Sequence, residues 1–262
     1  TGLGAQNKTY DGTTAATLTG TATLGGTVYN ADDVTLAGTG AGVFWNGDAG
    51  NRGVNVTGYS LTGADVGNYK LARVSGVKAK IRKATLNVTG LSAQDKTYDG
   101  TTAATLTGTA TLGGTVYNAD DVTLAGTGSG VFWNGNVGNR GVKVTGYSLS
   151  GVDADNYKLN WISGVQAKIS KAILNVIGLI AQNKTYDGTT DATLIGAAGL
   201  SGTIYGTDDV TLGGIGVGIF ASPNAGTNIT VTVNGYSISG AEAGNYKLWQ
   251  PSGLSANIDP VI

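Results

Sequence analysis

Between residues 17 and 24 apolar and polar positions alternate: Leu18, Ala22 and Leu24 share one parity, while Thr17, Thr19, Thr21 and Thr23 share the other. A period of two places successive side chains on opposite faces of an extended backbone, so the segment reads as a half-buried strand with one solvated face. The pattern returns at Val54 and Val56, and again at Val77, Ala79 and Ile81 set against Lys78, Lys80 and Arg82. Asp-Gly, Gly-Gly and Asn-Gly turns separate these short runs at the spacing of an antiparallel β domain, and no window carries a helical period. At most one helical turn is expected, over Asn30-Ala31-Asp32-Asp33-Val34 with Asn30 or Asp32 as its cap. The inward parity then slips: Val77, Ala79 and Ile81 give way to Ala84, Leu86 and Val88 across Arg82-Lys83, which predicts a bulge or a domain boundary there.

This pattern is written three times. Lys8-Thr9-Tyr10-Asp11-Gly12 recurs at Lys96–Gly100 and at Lys184–Gly188, and residues 1–88 match residues 89–176 at 72 of 88 positions. The third copy has diverged but keeps the frame, with Asn68-Tyr69-Lys70-Leu71 answered by Asn156–Leu159 and Asn245–Leu248; the last spacing implies one inserted residue near Thr227–Ile229. A period this long suits small domains rather than solenoid turns. The reading is therefore all-β: three tandem antiparallel domains at 1–83, 84–171 and 172–262, an immunoglobulin-like sandwich preferred and a β-grasp-like sheet the alternative. With only Arg82-Lys83-Ala84 or Ser170-Lys171-Ala172 between strands, and no flexible linker, the domains are expected to be held in an extended rod. The first copy begins at the equivalent of Thr89 and so lacks the strand that Ala84–Val88 supply to the second.

Composition narrows the chemistry. The 262 residues include 45 Gly and 12 Tyr but no Cys, His or Met, which removes disulfides, thiol nucleophiles, thiolate metal sites and the commonest general base. A net charge of −1 gives no electrostatic case for nucleic acid or an anionic membrane, and no apolar run is long enough to insert. The missing Met suggests an excised internal piece, with any targeting signal or anchor elsewhere. Each copy carries four Tyr and one Phe at matching places, in the first Tyr10, Tyr29, Phe44, Tyr59 and Tyr69, expected to serve as core and turn anchors. The Tyr-Asp-Gly triplet reads as a turn whose carboxylate binds nearby amides.

Three motifs carry a resemblance: Lys8–Thr14, Asp32–Leu36 and Gly58–Leu71, with counterparts at 96–102, 120–124 and 146–159 and at 184–190, 208–212 and 235–248. They resemble the YDG repeat domains of large bacterial adhesins similar to filamentous haemagglutinin and exported by two-partner secretion. The resemblance implies a secreted, cell-surface chain and a structural stalk or spacer that extends an adhesive tip in adhesion or biofilm formation, with no enzyme activity and no catalytic residues. Its partners would be the flanking domains of the parent adhesin. The alternative is that the repeats themselves bind glycan, host or matrix protein, or identical repeats.

Candidate sites are few. Trp45 and Trp133, beside Phe44 and Phe132, and Trp161 and Trp249 near the copy ends, are candidate glycan-stacking residues; the third copy has Ala221 in place of the first pair. No cofactor is expected. Asp32, Asp33 and Asp65, Asp120, Asp121 and Asp153, and Asp208, Asp209 and Glu242 are weak calcium candidates, since no EF-hand or nonapeptide spacing accompanies them. Pro223 replaces Gly47 and Gly135, which predicts a turn of different shape in the third copy.

Overall fold

A computed structural model describes all 262 residues. The regular structure of each copy is β-strand, apart from single 3-10 turns at Val66–Asn68, Ala154–Asn156 and Ala243–Asn245. Contacts divide the chain into two compact units. One comprises Thr1–Leu91, Gly108–Gly128 and Thr145–Ile162; the other comprises Ser92–Thr107, Ser129–Val144 and Ser163–Ile262. Each unit thus draws on consecutive copies of the repeat.

In the first unit a five-stranded sheet runs in the order Lys8–Thr9, Lys78–Arg82, Gly50–Thr62, Thr35–Phe44, Ala15–Ala16. The long central strands are antiparallel, pairing Phe44 with Val54 and Thr35 with Thr62, whereas the edge strand Lys8–Thr9 runs parallel to Ile81–Arg82. The alternation read from sequence holds: Val54, Val56, Val77, Ala79 and Ile81 are buried with Phe44, and the lysines between them face solvent. Across Arg82-Lys83 the chain leaves this sheet, and Ala84, Leu86 and Val88 point inward from the strand Ala84–Ala93. The parity slip is therefore a change of sheet. That strand forms the centre of a three-stranded sheet, between Leu106–Gly113 and Tyr157–Leu159, and runs parallel to the latter. Leu86, with no exposed surface, joins the same apolar cluster as Tyr10, Phe44 and Ile81.

The second unit repeats the plan with the third copy. Lys184–Thr185, Leu254–Asp259, Gly226–Ser239, Thr211–Phe220 and Asp191–Ala192 form the five-stranded sheet, and Leu194–Ser201, Ala172–Ala181 and Tyr246–Trp249 the three-stranded one. Phe220, Val231, Val233, Ala256 and Ile258 form one apolar cluster of this unit with Ala181.

The 45 glycines have a structural reason at one recurrent place. The register of the long hairpin shifts between Gly38 and Ala41, and Gly38 and Gly58 both take positive φ, +92° and +90°. A Cβ on Gly38 would lie 2.2 Å from the Gly58 carbonyl oxygen, so this bulge requires glycine.

One local expectation is corrected. The segment after Tyr29 is not helical: Asn30 and Ala31 take φ of +50° and +59°, and the Asp32 amide donates to the Tyr29 carbonyl at 2.8 Å, which closes a left-handed turn of the type I′ kind. At the Pro223 turn the Asn224 amide donates to Ser222 Oγ (3.1 Å) as the Asp48 amide donates to Asn46 Oδ1 (3.2 Å), so proline at the middle position costs no donor, while the backbone beyond it differs: Gly50 and Gly138 take φ of +139° and +134°, and Gly226 takes no positive φ. The inserted residue is Asn228, at φ +52° inside a register shift between Gly226 and Ile229.

Candidate functional site

The Lys-Thr-Tyr-Asp-Gly-Thr motif folds onto itself. Asp11 Oδ1 accepts from the Thr13 amide (2.9 Å) and hydroxyl (2.8 Å) and from Lys8 Nζ (2.7 Å), while Lys8 Nζ lies 5.7 Å from the Phe44 ring centroid. Burial opposes ionisation of Asp11, but the Lys8 ammonium and the Thr13 donors outweigh it and hold the carboxyl below its usual range. Asp187, bonded in the same way by Lys184 and Thr189, is lowered to about 2.

This folded turn presents its tyrosine to the next copy. In the first unit Tyr10 is 6% exposed, and its ring meets Tyr157 edge-on at 5.3 Å and Tyr117 at 6.0 Å. Both the Tyr10 and the Tyr157 hydroxyls donate to Asp120 Oδ2 at 2.7 Å, and the Tyr157 hydroxyl accepts the Tyr117 amide at 2.8 Å. Around this clasp the Ala49 amide donates to the buried Asn156 carboxamide oxygen (2.8 Å), and Asn118 Nδ2 donates to the Gly12 carbonyl (2.6 Å). The second unit repeats the arrangement. Tyr98 and Tyr246 donate to Asp208 Oδ2 at 2.8 and 2.6 Å, their rings lie 5.5 Å apart, and the Val137 amide binds Asn245 at 3.0 Å. A carboxylate that takes two phenolic donors in a ring-lined, half-dry niche forms charge-assisted bonds stronger than neutral ones.

Burial, followed by the bond to Asp208, pushes Tyr98 and Tyr246 up to about 12. Burial and Asp120 do the same to Tyr157, also to about 12, and raise Tyr10 further. The unfolded phenol titrates near 10, so the folded chain holds these protons more tightly. Their contribution to stability is complete below about pH 10 and is lost as pH climbs towards about 12. Thermal melts against pH, read beside tyrosinate absorbance, are expected to stay level up to about pH 10 and then fall as the clasp tyrosines titrate late. Uniform titration of all tyrosines near pH 10 would contradict the clasp.

The acidic candidates are used within the fold. Asp32 accepts the Tyr69 hydroxyl (2.8 Å), and Asp120 and Asp208 are the clasp acceptors. Asp65 Oδ2 accepts the Asp33 amide (2.9 Å), and Asp33 Oδ2 accepts the Ala64 amide (3.1 Å); Asp153 with Asp121, and Glu242 with Asp209, reproduce the exchange. This is why Glu242 can stand where the other copies have Asp. No group of three or more acidic side chains is gathered as a metal would need.

The four indoles are 79% (Trp45), 69% (Trp133), 75% (Trp161) and 51% (Trp249) exposed. Trp45 lies over Gly53, where a Cβ would sit 2.8 Å from the ring, and Trp133 lies over Gly141 in the same way. The third copy has Ala221 and Thr230 at these two positions, so indole and glycine are lost together. Lys247 Nζ stands 5.5 Å from the Trp249 ring centroid.

Sequence reasoning saw the tyrosines and aspartates as conserved places in each copy but missed that they meet across copies. Tyr10 and Asp120 are 110 positions apart, one repeat plus the Tyr10-to-Asp32 offset, and only that recurrence hinted at the contact.

Fold and site together define a tandem-repeat protein of all-β units whose successive copies are clasped by a shared Tyr–Asp–Tyr site. The chain belongs to the YDG domain family, whose model matches residues 1–76, 81–165 and 170–253. No curated protein and no solved structure matches the chain.

Proposed function

We propose that the three repeats are a structural stalk or spacer of a large secreted bacterial adhesin, carrying an adhesive region away from the cell surface. The observation behind this reading is the clasp, present in the same form at Tyr10–Asp120–Tyr157 and Tyr98–Asp208–Tyr246. A transmitting element needs each copy fixed to the next by buried, directional contacts, and a clasp that joins aromatic packing to charge-assisted bonds does this without a disulfide, metal or linker. Calcium has no part in this reading, and neither does catalysis. Small-angle scattering on the whole chain tests it: three domains of about 30–40 Å give a rod of about 100 Å. A compact particle would remove the stalk reading.

A second reading has its own support in the exposed indoles. In it the repeats bind glycan, host or matrix protein, or one another through Trp45 and Trp133. Binding of the purified chain to cells or glycan arrays, abolished by Trp45→Ala with Trp133→Ala, would favour it.

A further inference from the structure

One face of the third copy is apolar where the second copy is polar. In the strand Ala172–Ala181, Ala172, Leu174 and Val176 point into the core, so Ile173 and Ile177 point out, and beyond the register shift at Gly178 so does Ile180. Ile195 pairs with Ile180 and Trp249 with Asn175, which extends the stripe onto both neighbouring strands. All five apolar side chains are between 45% and 63% exposed. The second copy has Thr85, Thr89, Ser92, Thr107 and Asn160 at the same places, every one of them exposed. Its Thr89–Thr111 hydroxyl contact (2.9 Å) becomes Ile177 opposite Gly199.

Neither the core nor the backbone calls for this change. None of the five side chains is buried, and threonine offers a strand the same β-branched shape as isoleucine. A following repeat does not call for it either, since the second copy has one and keeps the equivalent positions exposed. The five side chains leave on the order of 500 Å² of apolar surface open, near the top of the range for a single patch on a monomer. That is less than the roughly 800 Å² per partner of a standard complex, which suits a contact between crowded neighbours.

We propose that this face is a self-association surface whose partner is the same face of a second molecule of this chain. The outward positions of its three strands carry one charge, the Lys247 ammonium, which stands 5.5 Å from the Trp249 ring centroid at the Ile173 end of the stripe. Such a face has little to offer a charged or hydroxyl-rich partner, whereas two sheets of this kind stack about 10 Å apart with their side chains interdigitated. A two-fold axis beside Ile177 lays the Trp249 end of one molecule against the Ile180 and Ile195 end of the other. Apolar side chains then meet apolar side chains, and the two Lys247 charges stay at opposite ends. The contact uses neither Trp45 nor Trp133 and does not rest on the stalk reading.

Sedimentation velocity on the whole chain over a concentration series tests this. The average mass is expected to rise with concentration, and more steeply in sulfate, which strengthens apolar burial. A variant combining Ile173→Thr, Ile177→Thr, Ile180→Ser and Ile195→Thr carries the residues of the second copy and is expected to associate at least about tenfold more weakly. Ile215→Thr, at an 83% exposed isoleucine of the other sheet, is expected to leave association unchanged. Ile177→Lys and Ile177→Asp are each expected to stay monomeric and to associate when mixed, because the axis brings position 177 against itself. Mass independent of concentration, wild-type association by the four-residue variant, an equal loss in Ile215→Thr, or no association in the mixture would overturn the proposal. Binding to neutral phosphatidylcholine vesicles without self-association would assign the face to a lipid surface and would also overturn it.

Discussion

Replacing Tyr157 by Ala is expected to cost the first unit about 3–5 kcal/mol, the range for removing a large aromatic from a packed core. Tyr157 is 2% exposed, packs edge-on against Tyr10, and serves two hydrogen bonds, as donor to Asp120 and as acceptor of the Tyr117 amide. Tyr157→Phe keeps most of the packing and loses only those bonds, so a smaller loss of about 1–3 kcal/mol is expected. Tyr29→Ala is the control, since Tyr29 is 64% exposed and contributes little burial. Denaturant unfolding followed by tyrosine fluorescence, with the unit's transition fitted separately, ranks the three variants. If Tyr157→Ala costs no more than Tyr29→Ala, the clasp does not stabilise the fold. The equivalent change in the second unit, Tyr246→Ala, should give a loss of the same order, because Tyr246 has the same neighbours in Tyr98, Tyr205 and Asp208.

The second large effect is expected at the hairpin bulge. Gly38→Ala places a methyl group 2.2 Å from the Gly58 carbonyl oxygen at a φ of +92°, so strain from both the dihedral and the contact falls on backbone that cannot rotate away. A loss of about 2–4 kcal/mol is expected. Gly67→Ala is the contrast: nothing lies within 4 Å of its added methyl group, its φ is ordinary, and the second copy already carries Asp155 at that place. Restricting the unfolded chain there should leave stability unchanged or raise it by up to about 1 kcal/mol. Melting temperatures of the two variants should move in opposite directions or differ by many degrees; equal shifts would show that the paired glycines are not required by the bulge.

Much of the fold was legible before any coordinates. The two-residue period at Val54, Val56, Val77, Ala79 and Ile81 identified the buried face correctly, because a strand has only two faces and one-sided burial forces alternation. The slip at Arg82-Lys83 was also visible, though only the structure revealed it as a passage from one sheet to the next. The Asp-Gly turn was readable since its chemistry is local: Asp11 needs only Thr13 and Lys8, two and three residues away. The turn after Tyr29 was misread as helical because Asn and Asp favour helix caps and left-handed turns alike, and the choice rests on what Tyr29 and Asp32 bind further along the chain.

The clasp was beyond such reasoning. Nothing near Tyr10 names Asp120 or Tyr157 as its partners, and a repeat of 88 residues suggests self-contained domains with plain joints. The sequence by itself determined the repeat, its all-β character, the inward face of each strand and the turn that displays each Tyr-Asp-Gly tyrosine, because these follow from periodicity and from contacts a few residues apart. Only the tertiary structure decided which copy receives that tyrosine and why the aspartate motif recurs. Those depend on burial and pairing between segments about 100 residues apart, whose closure is settled by the packing of the whole chain rather than by any local preference.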